Sequence, residues 1–176
     1  FDVLRDEVVE WSRDHSSTAI VGINETTVEA TRAVLTESIE QGESIDAMAR
    51  RLSEKFDEFK GVRSETIART ETSGAFNYGK ARNAEAFAET YPELRVFKTW
   101  TPTRDQRTRE AHKAKNIRSQ DGRATNTIPR DEAFSVMKGD DPSARENMMR
   151  PLDEGASAGN VVRCRCVLTF DVRGEI

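Results

Sequence analysis

The chain has 176 residues, 36% hydrophobic and 33% charged, with a net charge of −4. That length suits one domain, or one domain with a helical appendage, built on a thin core with much solvated helix. Two cysteines and two histidines exclude a disulfide framework or a multi-zinc module by count, and no run approaches the roughly 20 apolar residues that span a bilayer, so a soluble chain without a membrane partner is expected.

The charge is unevenly placed. Residues 101–176 carry 14 Lys and Arg against 12 Asp and Glu, leaving 13 against 19 in residues 1–100. No basic stripe results, so any DNA contact is expected to be secondary. A chain that starts at Phe1, without Met and without a basic-then-apolar leader, is expected to be a processed product or an excised fragment.

Phe1, Leu4, Val8 and Trp11 recur at helical spacing and predict a first amphipathic helix that breaks over Asp14 to Ser17. Asn24 is a suitable N-cap for a second helix with Val28, Thr31, Leu35 and Ile39 on one stripe, ended by Gly42. Ser44 caps a third, whose stripe is Ile45, Met48, Ala49, Leu52 and Phe56. A fourth is predicted from about Ser64 to Thr90, stopped by Tyr91-Pro92. It is rich in Ala and Gly, which lets another element approach closely and offsets the cost of about 1 kcal/mol for each interior glycine.

From Leu94 the period changes to that of a strand, over about 94–101. A short helix around Arg107 to Lys115, a turn at Asp121-Gly122, an extended Ile128-Pro129 and a long irregular stretch from Asp140 to Gly159 are expected next. Residues Asn160 to Val172 alternate, with Val162, Cys164, Cys166, Leu168, Phe170 and Val172 on one face, and predict a last strand. The fold class is therefore α+β: a helix-rich N-terminal half, then a small mixed or antiparallel sheet domain with long loops.

Three features can carry chemistry. Arg69, Thr70 and Glu71 sit in the fourth helix, where residues two apart do not face each other, so Arg69 and Glu71 are each expected to pair outside the helix. They read either as a structural polar network or as a guanidinium and a carboxylate lining a cleft. In Asp105-Gln106-Arg107-Thr108-Arg109 with His112, a helix would put Asp105, Arg109 and His112 on one face. A histidine beside a carboxylate suits a metal ligand or a general base, and equally a structural hydrogen bond. The third is Cys164-Arg165-Cys166. In a strand its thiols point the same way, about 6.6 Å apart at the backbone, so the pair reads as buried small hydrophobes, as part of a zinc site with His112 and a fourth ligand such as Asp105 or water, or as a disulfide or nucleophile.

These strings stand in an order that resembles the phage Mu F-like family of minor head, or head morphogenesis, proteins. The resemblance rests on Ile67-Ala68-Arg69-Thr70-Glu71-Thr72, Ala75-Phe76-Asn77-Tyr78-Gly79, Trp100, Asp105 to Arg109 with His112, and Arg163-Cys164-Arg165-Cys166, across residues 45 to 172. His112 followed by Asp121-Gly122 is similar to a further family step, whereas the family's proline shortly before the Cys pair is absent. The resemblance implies a helical N-terminal region over 1–62, for docking or linking, and a Mu F-like domain over 63–176. It also implies a virion component at the capsid interior or portal vertex, assembled in the host cytoplasm. Its partners would be the portal protein and the major capsid or scaffold protein, in head assembly and in DNA packaging or ejection. On this reading the chain is not an enzyme, no cofactor is required, and Arg69, Thr70, Glu71, Trp100, Asp105, Arg107, Arg109, His112, Arg163 and Arg165 form a structural polar network. The alternatives are a metal-dependent hydrolase or nuclease using His112 with Cys164 and Cys166, or the delivery module of a toxin fusion.

Overall fold

The computed structural model describes residues 5–15, 25–139 and 141–174. They divide into two compact units, Phe1–Gly79 and Lys80–Ile176. The first contains helices α1 (Arg5–His15), α2 (Glu25–Glu40) and α3 (Ile45–Lys55), a 3-10 turn at Asp57–Phe59 and the first part of α4 (Val62–Thr90). The second holds the rest of α4, strands β1 (Arg95–Thr101), β2 (Thr127–Pro129), β3 (Phe134–Lys138), β4 (Asp141–Met148) and β5 (Val167–Arg173), and the short helix α5 (Ala158–Val161). The class is α+β, as expected.

In the first unit the apolar stripes converge on one cluster: Val34, Leu35, Met48, Leu52, Phe59, Ile67 and Ala68, with Ile39, Ile45, Ala49 and Phe56 around it. Ser44 caps α3 as expected, its side chain accepting from Ala47 N. Gly42, at φ 67, ends the turn after α2, a left-handed conformation that favours glycine. Arg51 fastens α3 to α2, donating to Glu37 Oε2 at 2.5 Å and to Ser38 Oγ and Glu43 Oε1 at 3.1 Å each. Phe1, Leu4 and the Asn24 cap lie outside the described residues. The predicted break at Asp14 is displaced, because α1 continues through Asp14 to His15, where His15 Nδ1 bonds Trp11 O at 3.0 Å.

The second unit differs from the sequence reading in three places. The expected helix over Arg107 to Lys115 is a pair of 3-10 turns, Glu110–His112 and Ala114–Asn116, flanked by residues with extended ψ. The expected irregular stretch holds β4, which forms an antiparallel hairpin with the unanticipated β3, Phe134 opposite Met148 and Val136 opposite Glu146. The predicted last strand begins late: Asn160 and Val161 are helical, Arg163 sits at φ 58, and pairing starts only at Val167. A bulge between Met137 and Lys138, and a β4 rich in charge, hide this hairpin from period-2 counting. The other sheet is antiparallel in the order β2-β1-β5, with Trp100 opposite Leu168 and Lys98 opposite both Ile128 and Phe170. Ala84 and Ala88 of α4 pack on Val96 and Phe170 of this sheet, and Lys80 Nζ donates to Leu168 O at 3.1 Å.

Two predictions follow from this packing. A Cβ at Gly79 would stand 2.9 Å from Val8 Cγ2, and a β-branched neighbour has little rotamer freedom with which to yield. Overpacking costs about 1–3 kcal/mol, against a helix-propensity gain of about 1 kcal/mol. Gly79→Ala is therefore expected to destabilise the chain by roughly 1 kcal/mol, and to cost less when combined with Val8→Ala than the two changes cost separately, as thermal denaturation of the single and double variants would show.

Lys98 is 2% exposed, donates to Met149 O at 2.9 Å and lies 5.4 Å from the centre of the Phe134 ring. Burial pulls its pKa down to about 8, opposed by the nearby Asp131 and Asp153. Below that value the residue is charged in both the folded and unfolded chain. Between it and the ordinary value the folded chain has released a proton that the unfolded chain keeps, so stability rises with pH. Relative to Lys98→Met, the wild type is expected to gain on the order of 3 kcal/mol in urea denaturation between about pH 7 and about pH 10.5.

Candidate functional site

The second unit brings one set of chemistry-bearing residues together. His112, in the first 3-10 turn, and Cys164 and Cys166, in the loop between α5 and β5, are 1%, 1% and 4% exposed. His112 Nδ1 lies 3.4 Å from Cys164 Sγ and 3.6 Å from Cys166 Sγ. The three donor atoms all fall within 4.8 Å of one another. The thiols converge because α5 ends in a tight turn, with Cys164 N donating to Val161 O at 3.0 Å and Arg163 in the left-handed region. The strand expected through the Cys pair, and its 6.6 Å spacing, are replaced by this turn.

The ring of His112 is oriented from behind. Asn160 Nδ2 donates to Met137 O at 2.8 Å and to Glu146 Oε1 at 2.5 Å, so its Oδ1 is the atom that faces His112 Nε2 at 3.0 Å. Nε2 therefore carries a proton and donates, which turns Nδ1 toward the sulfurs. Glu146 also accepts from Ser157 N at 3.0 Å and Ser157 Oγ at 2.8 Å. Burial raises its pKa, but the hydrogen bonds from Ser157 and Asn160 outweigh burial and leave it below the ordinary value.

Trp100, fully buried, packs edge-on to His112 with ring centroids 5.2 Å apart. Its Nε1–H has no well-aligned acceptor but stands close enough to Cys166 to favour the thiolate. The hydrogen bond from Cys164, chiefly, draws the Cys166 thiol down to about 5 against the opposing effect of burial. The same contact, with burial, pushes Cys164 up.

The other expected residues fall elsewhere. Asp105 does not reach His112; both its oxygens take Arg165, at 2.7 and 2.8 Å, on the outer side of the Cys loop. Without the predicted helix, no face carries Asp105 toward the ring. Arg107 is exposed and gives its backbone N–H to Asp105 Oδ1 at 3.0 Å. Arg109 donates to Val162 O. Arg69, expected to pair outside its helix, instead bridges Glu65 one turn away at 2.9 Å, while Thr70 and Glu71 are buried in the first unit. Asn160 and Glu146 escaped the sequence reading. The only available signal was Ser157 as a cap before a short helix.

Cys166, His112 and Asn160 have the order of nucleophile, base and orienting amide. A nucleophile needs access, however, and these three are at most 4% exposed. The groove along Pro102, Thr103, Asp105, Thr108, Lys113 and Ala114 has none of them in its wall.

Residues 29–169 match the family model described as Phage Mu protein F like protein. The chain belongs to this family. No curated protein and no solved structure matches it. The match runs from α2 into β5, so the His112 cluster and the Asp105–Arg165 pair both lie inside the Mu F-like region. Membership makes this a phage head morphogenesis protein, one that works with other phage head proteins. Among the described residues no helix is long and apolar enough to cross a membrane.

The Asp105–Arg165 pair in the Mu F-like region sets a pH prediction. Hydrogen bonding to Arg165, chiefly, lowers the Asp105 pKa from 3.8 to about 2. A depressed carboxyl contributes stability above its unfolded value and loses it as pH falls through the folded one. The contribution is therefore expected to disappear between about pH 4 and about pH 2. Side-chain carboxyl NMR should place the Asp105 midpoint near the lower value, and Arg165→Ala should return it toward the upper.

Proposed function

We propose that this Mu F-like chain is a minor structural component of the phage head, held at the portal vertex by the portal protein, with the major capsid or scaffold protein as a further contact during assembly. The family match over residues 29–169 supports the head role. The observation that carries the structural reading is the burial of its only His-Cys-Cys cluster among the described residues, at no more than 4% exposure. Groups so enclosed order a fold more readily than they meet a substrate. The arginines of the family strings support the same view, because Arg109 and Arg165 spend their donors on Val162 O and Asp105 inside the domain.

Co-expression of the full chain with the portal, major capsid and scaffold proteins of its phage tests this reading. The chain is expected to co-purify with assembled portal and to show no turnover of DNA or peptide. Assembled portal that retains none of it would overturn the docking reading. Hydrolysis of DNA or peptide that disappears in His112→Ala would replace the structural reading with an enzymatic one.

A further inference from the structure

We propose that His112 Nδ1, Cys164 Sγ and Cys166 Sγ bind a single zinc ion in the second unit. The distances are those of a coordination shell. Tetrahedral zinc with Zn–S about 2.3 Å and Zn–N about 2.0–2.1 Å has N···S edges of about 3.5 Å. The two N···S separations, 3.4 and 3.6 Å, bracket that value. A bare Nδ1 accepts a hydrogen from one thiol, whereas a shared cation draws both sulfurs to the edge length of one tetrahedron.

The surroundings supply what a metal-bound histidine needs. Ligation through Nδ1 requires that nitrogen bare and the proton on Nε2. The amide of Asn160, held by Met137 O and Glu146, imposes that tautomer through its Oδ1. An outer partner that fixes the ring in this way accompanies most metal-bound histidines. Trp100 gives a second, independent indication. Its buried Nε1–H lacks an aligned acceptor, and a metal-bound thiolate at Cys166 would give it one.

Charge balances as well. Binding releases the thiol protons to solvent and leaves a divalent ion with two thiolates and a neutral imidazole, a set with no net charge to bury. Two soft sulfurs with an imidazole select zinc over magnesium or calcium. Asp105 is not the fourth ligand, because both its oxygens are on Arg165. No other Asp, Glu, His or Cys joins the cluster among the described residues.

The test uses the full chain purified under reducing conditions without chelator. Elemental analysis is expected to find one zinc per chain, and cobalt exchanged into the wild type should give thiolate-to-cobalt charge transfer with the intense visible bands of a tetrahedral ion. Cys166→Ser should lose the metal. Asn160→Leu keeps all three ligands and is expected to weaken zinc about 10-fold or more, with Asn160→Asp retaining more of the affinity. The cobalt spectrum needs no variant, so a Cys166→Ser chain that fails to fold leaves the test intact. Wild type that holds no more zinc than Cys166→Ser after loading, gives no charge-transfer band, or has its two thiols oxidised to a disulfide would overturn the proposal. None of those results would bear on portal binding.

Discussion

The second unit turns on one hydrogen bond, from His112 Nε2 to Asn160 Oδ1 at 3.0 Å. His112 belongs to a 3-10 turn, Asn160 to α5, its acceptors Met137 O and Glu146 to β3 and β4, and the ring packs on Trp100 of β1. Breaking it strands a ring N–H and an amide oxygen with almost no solvent access, each costing about 1–3 kcal/mol. The hairpin has a second tie in the Arg118–Ser135 bridge, where backbone bonds of 3.1 and 2.8 Å join it to the segment after the 3-10 turns. Its register with α5 runs through Asn160, on Met137 O and Glu146, and through Ser157, whose N and Oγ also donate to Glu146. Secondary structure alone would leave β3-β4 a two-stranded ribbon, which is marginal in water.

A chain that is one-third charged has little apolar surface to bury, and this one encloses polar groups that are nearly all matched. Ser12, Thr31, Ser38, Ser119, His112 and Asn160 are at or below 1% exposure. Each buried group costs desolvation unless its partner is in place, so such interiors are demanding about geometry and favour one arrangement over near alternatives. Arg51 does this work between α2 and α3, and Arg145 does it in the hairpin, donating to Ser135 Oγ, Ser135 O and Asn116 O. The small residues of α4 serve the same economy of space: Gly79 leaves room for Val8 that a Cβ would take, and Ala84 and Ala88 admit Val96.

How much of this was legible in the sequence depends on whether local pattern or distant partners decide each element. Helices α2, α3 and α4, strand β1 and the Ser44 cap follow from periodicity and capping chemistry within a dozen residues. The His112–Cys164–Cys166 set was also visible, as residue types able to share a metal. What no local pattern carried was the path of the chain around them. Arg107 to Lys115 has helical composition, yet Thr103, Asp105 and Thr108 bond among themselves and to Arg165, and these side-chain contacts outcompete helical turns. The β4 strand, Asp141 to Met148, reads as loop because its stability comes from β3 opposite and from Glu146 reaching Ser157 and Asn160. Asn160 itself acquires its role only when residues 48 positions apart meet.

The Cys164-Arg165-Cys166 alternation shows how a correct pattern can carry a wrong inference about backbone. Period two predicts a strand, but the in-and-out partition it encodes survives without one. The thiols point inward to His112, while Arg165 points outward and closes on Asp105. The turn is then held on both sides, by Thr103 Oγ1 donating to Arg165 O at 2.8 Å and by Arg109 donating to Val162 O. An ion pair exposed on the surface is worth little by itself. Here it latches a loop whose inner face must hold two sulfurs within a few tenths of an ångström of a shared position, so its effect falls on alignment of the cluster more than on the stability of the fold. Arg165 and Arg109 are thus engaged within the domain, one on each side of the turn.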